Sequence, residues 1–253
     1  MNAMERKLDH IDQLRVLGSF AEALRHLNTL TTEVEDNGRA WELMGLVHFE
    51  LANYQQSLDA LERASLLVPL SVEAQCRLAE CYMTSRRREV AAVIYAHLAT
   101  LDVGLEELAE LIGIGLKKIG QFDLALRFCL DHLGRFSSNH KLLFIVTESM
   151  RRLEYDNDVI TPIACQVYRL QPDNVTYRVR FARHLLVARR NSEAVNLLQS
   201  VDLNALQCIP SLQRLRMLFE QLGEHDSSQI CRARLQQIGY ELSSAYRPPK
   251  EEH

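Results

Sequence analysis

Apolar and polar positions recur along the chain in one eight-residue pattern. It reads Leu17-Gly18-Ser19-Phe20-Ala21-Glu22-Ala23-Leu24, then Leu51-Ala52-Asn53-Tyr54-Gln55-Gln56-Ser57-Leu58, then Ile119-Gly120-Gln121-Phe122-Asp123-Leu124-Ala125-Leu126. The second copy follows the first by 34 residues, and the third follows the second by twice 34. Weaker copies begin at Ala188 and Leu222, again 34 apart. Each copy carries turn residues between two stretches of helical spacing. A period of this length with a central turn predicts helix-turn-helix units that bury their apolar faces only by stacking on neighbours.

One unit carries a fuller signature: Trp41-Glu42-Leu43-Met44-Gly45, then Leu51, Tyr54, Ala64 and Pro69. In order and spacing these residues resemble the tetratricopeptide repeat, with Met44 in place of Leu and Ser57 in place of the usual first Ala of the second helix. The resemblance implies an all-α fold, a right-handed superhelical α-solenoid of helix-turn-helix repeats. Setting the frame on Pro69 divides the chain into units 4–37, 38–71, 72–105, 106–139, 140–174, 175–208 and 209–242, a single solenoid over 1–242, with 243–253 as a flexible tail.

The frame is consistent position by position. The seventh residues, expected inside each repeat, are His10, Met44, Leu78, Ile112, Val146, Phe181 and Leu215. The eighth, where paired helices approach closely, are Ile11, Gly45, Ala79, Gly113, Thr147, Ala182 and Arg216, small in the middle five. The facing positions Ala23, Ser57, Ala91, Ala125, Ile160, Ala194 and Ser228 are small in all but Ile160. The fifth unit is one residue longer, so a longer loop is expected after Leu153, with Thr161 as N-cap and Pro162 as first residue of its second helix. Pro172 closes that unit, and Pro210 starts the first helix of the seventh.

Composition fits an ordinary globular protein: 253 residues, 47% hydrophobic and 25% charged. Only 10 Gly and 6 Pro are present, which disfavours turn-rich β folds. A net charge of -4 repels a polyanion as a whole, so no nucleic-acid partner is expected. Charged residues from Glu5 to Arg15 interrupt any signal-like apolar run, which predicts a cytoplasmic chain. The longest charge-free apolar stretch, Val90 to Leu101, is too short to span a bilayer, so no membrane partner is expected. The six cysteines form no CxxC pair and read as small buried hydrophobes.

No catalytic constellation is legible, and no enzyme activity, cofactor or metal is expected. Gly113-Ile114-Gly115 with Gly120 looks like a phosphate loop, but its glycines fall on a packing position and an inter-helix turn. Asp156-Asn157-Asp158 lacks the glycine and terminal glutamate of a calcium loop. The histidines form no HExxH or HxxxH pair, and His225 fills the aromatic turn position, where packing is expected.

The family resemblance implies that unit positions 2, 5, 6, 9, 12 and 13 of the first helices line a concave groove that holds another protein, as an extended peptide or amphipathic helix. In units one to three these positions carry Glu5, Asp9, Asp12, Glu42, Glu50, Glu73 and Glu80 against Arg15, Arg39 and Arg77. In units four to seven they carry Lys117, Lys118, Lys141, Arg151, Arg152, Arg180, Arg183 and Arg214 against Glu107, Glu110, Glu148 and Glu220. Solvated faces carry charge in any case. The sharper reading is a groove acidic at one end and basic at the other, with an acidic partner segment beside Arg151, Arg152, Arg180 and Arg183. Leu43, Leu46, Phe49, Leu111, Ile114, Phe144, Ile145, Val179, Leu186 and Met217 are candidate apolar anchors, or else packing between adjacent helices. The Lys, Asn and Arg set of the two-carboxylate clamp that holds chaperone tails is missing. The expected function is a noncatalytic scaffold, adaptor or chaperone-like binder; the alternative is a fixed accessory subunit of a larger complex. Ile230, Leu235 and Ile238 on the last helix, expected over Ser228–Tyr240, leave self-association through a solenoid end open.

Overall fold

The computed structural model describes residues 3–245. Among those residues it contains fourteen helices and no strand. A first compact unit ends at Ser137 and a second begins at Ser138. The first holds α1 (Ala3–Val16), α2 (Phe20–Glu33), α3 (Gly38–Glu50), α4 (Tyr54–Leu67), α5 (Val72–Thr84), α6 (Arg88–Leu98), α7 (Glu106–Ile119) and α8 (Phe122–Leu133). The second holds α9 (His140–Arg152), α10 (Asn157–Leu170), α11 (Val175–Val187), α12 (Asn191–Gln199), α13 (Ile209–Leu222) and α14 (His225–Ala245). In six of the seven repeats the first helix begins on the first residue of the frame read from the sequence, and α1 begins one residue before it.

One local device makes every repeat. The fifteenth residue of each unit has positive φ: Gly18, Ala52, Arg86, Gly120, Glu154, Arg189 and Gly223. The following N–H reaches back to the carbonyl five residues earlier, from Ser19 to Leu14 (2.8 Å), Asn53 to His48 (2.9 Å), and so on through Glu224 to Phe219 (2.9 Å). This is the Schellman termination, which satisfies a terminal carbonyl and reverses the chain for the second helix. Four units reach it without glycine, each at a cost of about 1–2 kcal/mol in backbone strain. The starts of the first helices are also periodic. Asn37, Ser71, Asn139 and Asn174, each the last residue of a unit, accept backbone N–H bonds from Ala40, Ala74, Leu142 and Tyr177.

The fifth unit has the longer loop, because Asp156 is inserted after the Schellman turn and before α10. Its second helix nevertheless starts at Asn157, four residues before the expected cap. Thr161 is inside α10, where its hydroxyl donates to the Asn157 carbonyl (2.7 Å), and Pro162 is interior to the helix. α10 begins five residues ahead of Pro162, so the proline falls inside the helix rather than opening it.

Packing follows the small positions. Ala23, Ser57, Ala91, Ala125, Ile160, Ala194 and Ser228 are all buried. A Cβ on Gly45 would lie 2.5 Å from Leu61 Cγ, and one on Gly115 only 2.0 Å from the Tyr95 ring. Tyr95 therefore lies flat on α7, its hydroxyl donating to the Cys76 carbonyl (3.2 Å). In the second unit Leu185, Leu198, Leu212, Leu215 and Phe219 form the centre of the core. α14 runs longer than expected, to Ala245, and buries Ile238 while leaving Ile230 exposed. The expected tail is thus helical over 243–245, and its remainder lies outside the described residues.

Candidate functional site

In the second unit α9, α11 and α13 present their groove positions to one another. Phe144 and Tyr177 pack with ring centroids 4.9 Å apart, and His140 Nδ1 hydrogen-bonds the Tyr177 hydroxyl (2.9 Å). Beside them Glu148 is buried, yet it is flanked by cations. Arg151 donates to its Oε2 at 3.2 Å, and Arg180 Nε lies 3.4 Å from Oε1. The second contact has ion-pair distance without hydrogen-bond geometry, so the buried Nε atoms of Arg151 and Arg180 have no hydrogen-bond acceptor among the described residues. Arg183 and Arg214 are exposed and make no ion pair among the described residues.

The cluster is tight enough for mutual repulsion. Burial lowers the Arg180 guanidinium from its ordinary range; Glu148 opposes this, and Arg214, Arg151 and Arg183 push the same way as burial. Arg180, Arg183 and Arg214 line a cavity of about 240 Å³ with Val179, Met217, Leu218 and Gln221. Six of these seven residues stand at groove positions of the repeat frame; Leu218 alone does not. The lining thus combines three guanidiniums with apolar side chains, the exposed Met217 and the buried Val179 and Leu218.

Below the cluster His184 is buried, and its Nδ1–H donates to Asn157 Oδ1 (2.7 Å) while Asn157 Nδ2–H donates to the His184 carbonyl (3.0 Å). Desolvation drives its pKa down to about 4; Glu148 opposes the shift, and Arg183, Arg151 and Arg180 reinforce it. At neutral pH this imidazole is uncharged and braces α11 against α10. The sequence reading missed it, because Asn157 occupies the turn position where aromatic residues stand in other units.

The first unit presents the same positions with a different outcome. Arg15 donates to Asp12 (2.8 Å) and forks onto Glu73 (3.1 and 3.3 Å). Arg77 pairs with Glu50 (3.6 Å) and Glu80 (3.2 Å) while stacking over Phe49. Lys118 also pairs with Glu80. Glu42, read from the sequence as a groove contact, is buried: it pairs with Arg39 (2.8 Å) and accepts the Ser71 N–H (3.1 Å), tying the end of its repeat back to that repeat's first helix. Phe49, Glu80 and Lys118 do share a hollow, with Tyr54, Met83 and Thr84. Lys117 is half-buried, and Lys141 and Arg152 are exposed.

Among the candidate anchors Leu43, Leu46, Ile145 and Val179 are buried, and Met217 is exposed. Four cysteines are buried as expected, Cys165 is half-buried and Cys208 is exposed. Cys208 departs from the expectation because it stands ahead of α13, where Ser211 donates to its sulfur (3.1 Å). His225 is likewise exposed rather than packed. Among the described residues no group of three or more His, Cys, Asp or Glu could hold a metal ion, and no helix is long and apolar enough to cross a membrane.

No family model matches the chain, and no curated protein does. Solved structures do. The tetratricopeptide-repeat protein YrrB, described as having an unusual peptide-binding site, superposes with a TM-score of 0.57 at 14% identity, covering 73% of this chain and 90% of YrrB. The C-terminal part of a TPR repeat-containing protein from Cytophaga hutchinsonii gives 0.61 at 12% identity, covering 91% and 95%. A chain of the APC/C hetero-tetramer Cut9–Hcn1 gives 0.63 at 13% identity, covering 90% of this chain and 48% of that one. The chain has the tetratricopeptide-repeat fold, the all-α class that its sequence implied.

Proposed function

We propose that the protein is a noncatalytic interaction scaffold on which an acidic segment of another polypeptide docks, at the arginine cavity between α11 and α13. The observation that carries this reading is the charge imbalance around Glu148: one carboxylate stands among Arg151, Arg180, Arg183 and Arg214. The apolar side chains beside them give a docked side chain something to cover, so that the charges set orientation and rate of encounter while burial holds the complex. Peptide binding by YrrB and the assembly of Cut9 with Hcn1 support a polypeptide partner for this fold.

The test is capture of partners from native lysate on the wild-type protein and on R183E/R214E in parallel. Both side chains are exposed, so the substitutions leave the core intact. Partners retained by the wild type at low salt and lost from the variant are expected; identical partner sets would remove the cavity from the proposal. Exchangeable partners mark an adaptor or chaperone-like binder, and one stoichiometric partner marks a fixed subunit.

A further inference from the structure

We infer that the arginine cavity selects a phosphate monoester on its polypeptide partner, that is, a phosphorylated side chain rather than a carboxylate. The inference rests on the docking reading above and names the anion it prefers. Four guanidiniums and one carboxylate leave the cluster about three charges positive, and a single carboxylate ligand would neutralise only one of them. A phosphate monoester carries roughly -1.5 to -2 near neutral pH and offers three acceptor oxygens. Three arginines, Arg180, Arg183 and Arg214, converge on one cavity, and guanidinium forks bind such oxygens two at a time.

The geometry leaves these donors available. Arg183 and Arg214 are exposed with no ion pair among the described residues, whereas the Arg180 Nε is buried on the Glu148 side, so Arg180 faces the cavity with the rest of its guanidinium. Glu148 is buried between Arg151 and Arg180, and the two arginine side chains remain partly exposed beside it. Val179, Met217 and Leu218 then receive the aryl or alkyl stem that carries the phosphate. The chain as a whole is negative, at -4. A long polyanion is repelled beyond the cavity, whereas one local dianion is not, which favours a phosphorylated polypeptide over a nucleic acid.

The test uses two probes of one shape, phenyl phosphate and benzoate, titrated into the full chain by calorimetry and by the arginine Nε–H resonances. Phenyl phosphate is expected to bind at least about tenfold tighter than benzoate at pH 7.5, since its charge-assisted bonds are more numerous and stronger. Its advantage should shrink as the pH falls through about 6, where the dianion protonates. Titration of protein groups affects both probes alike, so the difference between them isolates the phosphate. R183Q and R214Q should each weaken phenyl phosphate about tenfold, and R183K, which keeps charge without the fork, should restore only part of the loss. Equal affinity for the two probes overturns the phosphate preference and leaves the docking of acidic segments standing; no binding of either removes the docking reading as well. A degenerate peptide library with one central phosphoserine or phosphotyrosine, run against 5′-phosphorylated single-stranded RNA, tests the source. Tighter retention of the RNA would overturn the polypeptide assignment.

Discussion

The two compact units present the same repeat positions and reach opposite electrostatic ends. In the first, cations and anions interleave: Arg15 between Asp12 and Glu73, Arg77 between Glu50 and Glu80, Lys118 on Glu80, Arg39 on Glu42. In the second, Glu148 alone answers Arg151 and Arg180, while Arg183 and Arg214 go without an ion pair among the described residues. Counting charges along the sequence makes the first stretch acidic and the second basic. Pairing refines that account: five groove acids of the first unit, Asp12, Glu42, Glu50, Glu73 and Glu80, meet a cation on a neighbouring turn or helix. What distinguishes the two faces is therefore the sign of the charge left over, acidic in the first and basic in the second, and the gathering of the second unit's surplus cations around one cavity.

The largest effect expected from this difference is on binding. R183E/R214E should weaken capture of an acidic or phosphorylated partner by about a thousandfold, roughly 4 kcal/mol, and flatten its salt dependence. A reversal of two cations in the first unit, R39E/K118E, should leave that affinity within about twofold. Titration of a partner peptide at several salt concentrations against both variants checks the pair. Equal losses from the two reversals would mean that the protein's field acts as a whole and that the cavity has no special role.

A second effect belongs to stability and separates the units by pH. His184 is held at about 4 in the folded chain, below the ordinary 6.5 of histidine. As the pH falls below about 6.5 the unfolded chain takes up a proton that the folded chain refuses until about 4. The stabilisation present above pH 6.5 is thus lost progressively down to about pH 4, by up to about 3 kcal/mol at 1.36 kcal/mol per unit. Urea unfolding of the wild type and of His184→Gln across that window measures it, followed by a probe placed in the second unit. The variant should lose most of the slope, and parallel slopes for the two proteins would assign the acid sensitivity elsewhere.

The repeat frame was legible because close packing and turn geometry act locally. Small residues recur where helices touch, and the first helices begin where the 34-residue period puts them. The exceptions are local too. Pro162 reads as a helix start, yet α10 begins earlier, at Asn157. Cys208 reads as a buried hydrophobe, yet it is exposed just ahead of α13. The arginine cavity was half legible. All its residues but Leu218 fall on the groove positions, but that Glu42 turns inward to the Ser71 N–H of its own repeat, or that Lys118 is taken by Glu80 of the preceding one, depends on side-chain reach. Which individual charges stay unpaired is a property of those contacts and cannot be counted from a composition.

A smaller effect tests the interleaved face directly. Arg77 is largely buried between Glu50 and Glu80 and stacks on Phe49 at 4.6 Å. Removing it takes the cation from Glu50 and leaves Glu80 with Lys118 alone, so Arg77→Met should destabilise the first unit by about 1–2 kcal/mol, less than a fully buried pair would lose. Partner binding should be untouched. Chemical denaturation with the titration above decides between a structural and a binding role, and a variant of full stability with weakened binding would reverse the assignment of the two faces.

The smallest effect concerns what the units share. Gly120 sits at φ +81°, and a Cβ there would meet nothing closer than Arg88 Nη2 at 3.7 Å, so Gly120→Ala isolates backbone strain. It should cost about 1 kcal/mol. The reverse change at Glu154, φ +61°, relieves the same strain in the second unit but also frees the unfolded chain, so Glu154→Gly should fall within about 0.5 kcal/mol of neutral. Urea midpoints at unchanged slope measure both. A neutral Gly120→Ala would mean that the Schellman turns carry no strain, and the four non-glycine copies would then need no compensation from the helices they join.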